Sequence, residues 1–340
     1  MMGAVGLRTH IWNNNLKSIL LLAGFPFLIL LLAFAASLVF TAMDGGSGYQ
    51  VYSDGKASSG LAAEFGLAFD NLPMMALWSL AIAGIWFVIA WFGHQAMIDM
   101  STGAHSVSRQ DEPELYNLLE NLCISRGLTM PKLKIIETDV MNAYASGLTE
   151  KQYAVTVTRG LMQNLDRDEL EAVLAHELSH IRNRDVRLLV ISVIFVGIFS
   201  FVAQIVFRSL FWGRIGGRST GRRGNAALLI IIAIAIVAIA YFLSIAIRFA
   251  LSRKREYMAD AGAVELTRNP DAMISALEKI SGHAAIENAP DGVREMMIEN
   301  PHNGFMGMFA THPPIEKRIE ALIQFAGGHR QDRSTSVPAV

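Results

Sequence analysis

A single cysteine, Cys123, in a chain of 340 residues rules out an intramolecular disulfide and any metal site built on cysteines. Charge is scarce as well: 17% of the residues are Asp, Glu, Lys or Arg, against about 25% in an ordinary soluble domain. The net charge is −1 and no strongly basic domain emerges, so nucleic-acid binding has no electrostatic footprint here. Ionisable residues are almost missing from four long apolar stretches, which argues against a transporter or channel, whose spans carry them along the pathway. In their place 52% of the residues are hydrophobic, and the mean hydropathy is +0.35. These shortages define a membrane protein in which any metal must be held by histidines and carboxylates.

The apolar stretches cover residues 18–42, 74–98, 188–207 and 226–247. Each reaches the length of about 20 residues that a helix needs to cross a bilayer. Pro26 is tolerable inside the first, which is too long for a cleaved signal peptide and reads as a retained anchor. The predicted organisation is an N-terminal arm and transmembrane hairpin (1–98) with an extracytoplasmic loop (43–71), then a cytoplasmic domain built from 99–185 and 248–326. A second hydrophobic hairpin (186–247) interrupts that domain, and 327–340 reads as a disordered tail. Arg8 and Lys17 precede the first run and an acidic loop follows it, which places the N-terminus in the cytoplasm. For the second hairpin, Arg214, Arg218, Arg222 and Arg223 in the turn offset Arg182, Arg184, Arg187, Arg253, Lys254 and Arg255 on its flanks. Charge therefore does not decide whether that pair spans or folds back.

Between the runs, Pro113 opens a predicted helix that extends to Arg126, 132–137 reads as a short strand, and 142–147 with 152–158 reads as a β-hairpin. Asp166 and Glu169 are spaced as a capping box. The helix they start carries His176-Glu177-Leu-Ser-His180. Histidines four apart project from one helical face and can grip one ion, while Glu177 can reach a water on that ion; this is the H-E-x-x-H arrangement of zinc metalloproteases. A catalytic zinc needs a third protein ligand, and Glu256 is the candidate. His180 lies eight residues before the third run and Glu256 nine after the fourth, so a helical hairpin brings both to about 12–14 Å from its apolar boundary. Taken alone, Glu256 equally suits a residue balancing Arg253, Lys254 and Arg255; the histidine pair favours the ligand. Asp260, one turn further, suits a carboxylate that orients a zinc-bound imidazole, with a plain helix-surface Asp as the alternative. Cys123 and the methionines, which include Met296, Met297, Met306 and Met308, read as packing residues.

Four elements together, His176–His180, Arg255-Glu-Tyr-Met-Ala-Asp-Ala261, Asn142-Ala-Tyr-Ala-Ser-Gly147 and Thr311-His-Pro-Pro-Ile-Glu-Lys-Arg-Ile319, resemble the HtpX-type membrane zinc metalloproteases over residues 8–326. The resemblance to the CAAX prenyl endopeptidases is more distant. The HtpX-type resemblance implies a mainly α membrane protein with four hydrophobic helices and a gluzincin-like zinc domain that contains a small β-sheet. It also implies one zinc per chain and an endopeptidase that clears misfolded or damaged membrane proteins at a bacterial inner membrane, multi-pass, with the catalytic domain in the cytoplasm. By the same resemblance, Asn142, Ala143, Tyr144 and Ala145 form the substrate-binding edge strand. His312 becomes the residue that stabilises the oxyanion, although its place before Pro313 marks only the start of a helix. The loop 43–71 is longer than the family's. The alternatives are a prenyl-protein endopeptidase, whose site is enclosed by more spans, and a non-catalytic membrane scaffold, which has no use for Glu177.

Overall fold

The computed structural model describes residues 7–43, 51–53, 56–58, 61–191, 228, 231–239, 254–281, 283–284, 296–298 and 312–330. The chain divides into two units, one made of residues 1–18, 92–193 and 249–340, the other of 19–91 and 194–248.

The second of these contains most of helix α1 (Leu7–Met43), with Pro26 inside it, and most of helix α3 (Leu72–Thr102). Between them lie the antiparallel hairpin β1 (Val51–Ser53) and β2 (Lys56–Ser58) and the helix α2 (Leu61–Asp70). The stretch 43–71 is therefore not the plain loop its glycines and serines suggested. Leu61, Ala62, Ala63, Phe65, Leu67 and Ala68 are enough to sustain a helix despite Gly66, and Ala68 is buried with Ala35, Leu38 and Ala233. Among the described residues, one helix, Leu72–Thr102, is long and apolar enough to cross a membrane, and a shorter apolar stretch covers Pro26–Leu38. Leu77, Trp78 and Ile85 on α3 are each 63% exposed, a face that suits hydrocarbon rather than water. Of the third and fourth apolar runs, only 188–191, 228 and 231–239 fall among the described residues; the remainder lies outside them.

The first unit is built on a four-stranded mixed sheet in the order β3-β4-β6-β5, from β3 (His105–Ser106), β4 (Lys132–Ile136), β5 (Ala143–Ser146) and β6 (Ala154–Thr158). β4 and β6 run parallel, and the outer pairings are antiparallel, with Ala143 opposite Val157 and Ser146 opposite Ala154. Gly147 ends β5 with φ 118°, where a side chain would collide with the backbone of Gln152 and Tyr153. Helix α4 (Pro113–Arg126) starts on its proline and ends at left-handed Gly127; it buries Leu115, Leu118, Leu119, Leu122 and Cys123 along one stripe. Helix α5 (Arg159–Asn164) leads into α6 (Arg167–Arg182), which packs against β5, α7 (Lys254–Thr267) and α8 (Pro270–Ile280). Helix α9 (Ile315–Ala326) closes on α7 and α8. Residues 327–330, expected as part of a disordered tail, fold back so that the His329 amide donates to Asp271.

The end of α3 is bonded to this sheet. Lys134 on β4, 3% exposed, pairs with Asp99, while Ser146 Oγ donates to Gln95 Oε1 at 3.0 Å and Tyr144 Oη lies 3.2 Å from Thr102 Oγ1. The C-terminal end of α3, Gln95 to Thr102, thus helps to hold β4 and β5.

Candidate active site

The Asp166 side chain accepts from the Glu169 amide and Glu169 returns the bond to Asp166, which starts α6 in a fixed phase. Buried Glu169 is held further by Ser275 and Lys279 of α8. His176, Glu177 and His180 then fall in the buried second half of α6. Helix α7 lies close to α6 because a small residue stands at the crossing. A Cβ on Gly262 would meet Ser179 Oγ at 2.5 Å and Ser179 Cβ at 2.9 Å, and Ala259 and Ala263 on either side are fully buried.

That approach carries the Glu256 carboxylate to both imidazoles. His176 Nε2 and His180 Nε2 stand 3.1 Å apart, and Glu256 oxygens lie 3.7 Å from the first and 3.8 Å from the second. Donor atoms about 2.0–2.2 Å from a tetrahedral zinc would be separated by about 3.3–3.6 Å, so this buried triangle fits one such ion. The rings are turned to suit. His176 Nδ1 is 2.9 Å from Asp260 Oδ1 and His180 Nδ1 is 3.2 Å from Asp185 Oδ2. A carboxylate at each Nδ1 takes that nitrogen's proton in a hydrogen bond and leaves the Nε2 lone pair to a metal. Arg318, fully buried, grips Asp260 with Nε at 2.9 Å and Nη2 at 2.6 Å.

The electrostatics follow from burial against charge. Burial by itself would lower His176, but Asp260 and Glu256 outweigh it and push the ring up to about 9; a metal ion and a proton compete for that imidazole. Burial raises Glu256 and Asp260, yet the histidines His312, His180 and His176 hold the first well below the usual carboxylate range, and Arg318 holds the second down. Glu177 moves the other way, upwards, because burial dominates there, and its Oε2 has no hydrogen-bond partner among the described residues. His312 Nδ1 lies 3.2 Å from Glu256 Oε2, which brings the His-Pro-Pro element to the same point.

The structure brings His176, His180, Glu256, Asp260 and His312 together, with Glu177 buried beside His176 and Asn142, Ala143, Tyr144 and Ala145 on or beside β5, the strand next to α6. Two buried residues of the site were not foreseen, Asp185 and Arg318. Arg318 was on view in the Thr311–Ile319 element, whose third charged residue it is. Asp185 sits in Arg-Asn-Arg-Asp-Val-Arg, a setting that reads as membrane-border charge.

Two histidines one helical turn apart, a glutamate beside the first and a carboxylate from a second helix define a metallopeptidase. Sequence relatives agree. The chain is 43% identical to a Protease HtpX homolog of Bacteroides fragilis, over 94% of this chain and 99% of that one. It is 37% identical to a Protease HtpX homolog of Listeria monocytogenes, over 77% of this chain and 90% of that one. A crystal structure of S. mikatae Ste24p aligns with a TM-score of 0.47 at 21% identity, covering 84% of this chain and 64% of that chain. Residues 109–326 match Peptidase family M48, and the chain belongs to that family as a membrane-bound metalloprotease of the HtpX type.

Proposed function

We propose that the chain is a zinc endopeptidase in which His176, His180 and Glu256 hold one zinc ion and Glu177 moves the proton. The observation that carries this reading is the buried triangle of two Nε2 atoms and the Glu256 carboxylate, whose separations suit a single small cation. Two imidazoles, a carboxylate and no thiolate favour zinc over a metal that prefers an all-oxygen shell. Bound there, zinc supplies Lewis acidity, which acidifies water and polarises a peptide carbonyl. Glu177, raised by burial, takes a proton from the attacking water and delivers it to the leaving amine. His312 donates to the oxygen that gains charge as the carbonyl is attacked. Asp260 holds His176, and Asp185 holds His180, in the tautomer that turns Nε2 inwards.

Asn142, Ala143, Tyr144 and Ala145 pair with an extended peptide along the outer edge of β5. Backbone pairing makes few demands on sequence, which suits removal of misfolded or damaged membrane proteins. The basic arm and the acidic loop that follow each other around the first apolar run support a bacterial inner-membrane location with the catalytic domain in the cytoplasm. Casein digestion by the full chain in detergent tests the proposal. Cleavage should require zinc, vanish in Glu177→Gln with zinc retained, and vanish in Glu256→Ala with zinc lost. Full turnover by Glu177→Gln would remove Glu177 from the mechanism.

A further inference from the structure

β5 is the last strand of its sheet, and an outer strand presents unpaired amides and carbonyls to any extended chain. In this protein that edge is already taken. Met296, Met297 and Ile298 lie buried along it, with Met297 bridging Tyr144 in antiparallel register. The Ile298 amide donates to Ala143 O at 2.9 Å and to Asn142 Oδ1 at 3.1 Å. Its carbonyl accepts from Arg318 Nη1 at 3.0 Å, and that same nitrogen is 3.8 Å from Glu256 Oε2. One residue of the chain, Ile298, therefore has both its N–H and its C=O satisfied beside the proposed metal ligands.

We propose that Met296–Ile298 is an internal competitor for the peptide-binding edge, and that substrate enters by displacing it. The inference rests on the reading of β5 as the substrate strand. The geometry suits exchange. A bound peptide offers the same N–H to Ala143 and Asn142 and the same C=O to Arg318, so those bonds are swapped rather than lost. A longer peptide gains further pairing at Ala145, whose backbone faces the outer edge as that of Ala143 does. While the segment is seated, only the fraction of molecules with a vacant edge accepts substrate, and the apparent affinity is reduced by that fraction. The contact also separates two roles of Arg318, since Nε and Nη2 serve Asp260 while Nη1 serves whichever chain lies on β5.

A disulfide across the bridge tests the proposal. Tyr144 and Met297 face each other at a position where the flanking bond, not the pair itself, is hydrogen-bonded, so their side chains are close. Full-length Tyr144→Cys/Met297→Cys, made with Cys123→Ser, should lose about tenfold or more of its casein cleavage on oxidation and regain it on reduction. Equal cleavage by the oxidised and reduced forms would overturn the proposal. A second measurement does not depend on turnover. In Glu177→Gln, hydrogen exchange should quicken at 296–298 when casein binds, while 143–146 stays protected. Casein binding with 296–298 still protected would likewise overturn it. Failure of casein to bind at all would instead count against β5 as the substrate strand, and with it the competitor.

Discussion

Arg318 shows how much of the site depends on a side chain outside the proposed ligand set. Its neighbours Glu316 and Lys317 are exposed, whereas its own guanidinium is buried between Asp260, Ile298 and His176. Removing it would leave Asp260 ionised and half-satisfied in the interior, a loss of about 3–5 kcal/mol for a broken buried pair. Arg318→Met is therefore expected to lower the melting temperature and to weaken zinc binding by about 10–100-fold, measured by competition with a chelator. Asp185→Asn tests the other imidazole: it loosens His180, so zinc affinity should fall by about tenfold or more in the same chelator competition. Equal zinc affinity in Asp185→Asn and the unsubstituted chain would show that Asp185 does not orient His180.

At the level of elements, the critical junction is the crossing of α6 and α7. Gly262 has no room for a methyl group against Ser179, whose own hydroxyl is bonded to Ala175 O at 2.8 Å. Gly262→Ala should push the helices apart, cost about 1–3 kcal/mol in stability and carry Glu256 away from the imidazoles. Zinc titration of that variant checks the coupling, and unchanged affinity would mean the crossing is not what positions Glu256. The capping box is a milder case: Asp166→Ala should cost about 1 kcal/mol in a denaturant titration with the zinc site intact. Both capping residues, the helix from Pro113, the strand at 132–136 and the β5–β6 hairpin were legible in sequence, because each is written locally in caps, prolines or alternation. The histidine pair was legible for the same reason, since four residues make one helical turn. What escaped was non-local or irregular. Asp185 and Arg318 look like solvated charges until a fold buries them, and the single bridge at Met297 has no period to detect. The hairpin and helix within 43–71 were hidden by glycines and serines that read as a loop.

For the whole molecule, Gln95, Asp99 and Thr102 at the C-terminal end of α3 belong to the catalytic unit and bond to β4 and β5. The composition that marked a membrane protein is realised in α3, with its exposed apolar side chains. Of the four expected spans, one is matched by a helix long and apolar enough to cross a membrane, the first run gives the shorter apolar stretch Pro26–Leu38, and the third and fourth runs lie largely outside the described residues. Metal should be a global stabiliser, because its ligands come from helices far apart in sequence. At zinc concentrations about a hundredfold above its dissociation constant the gain is about 2.7 kcal/mol, so a chelator should lower the melting temperature and added zinc restore it. The most direct test of the account is zinc-edge X-ray absorption on the full chain in detergent. The spectrum should show one zinc per chain with two imidazoles and oxygen donors at about 2.0–2.2 Å, and His180→Ala should lose the metal. A wild-type spectrum with other than two imidazoles, or one unchanged in His180→Ala, would contradict it.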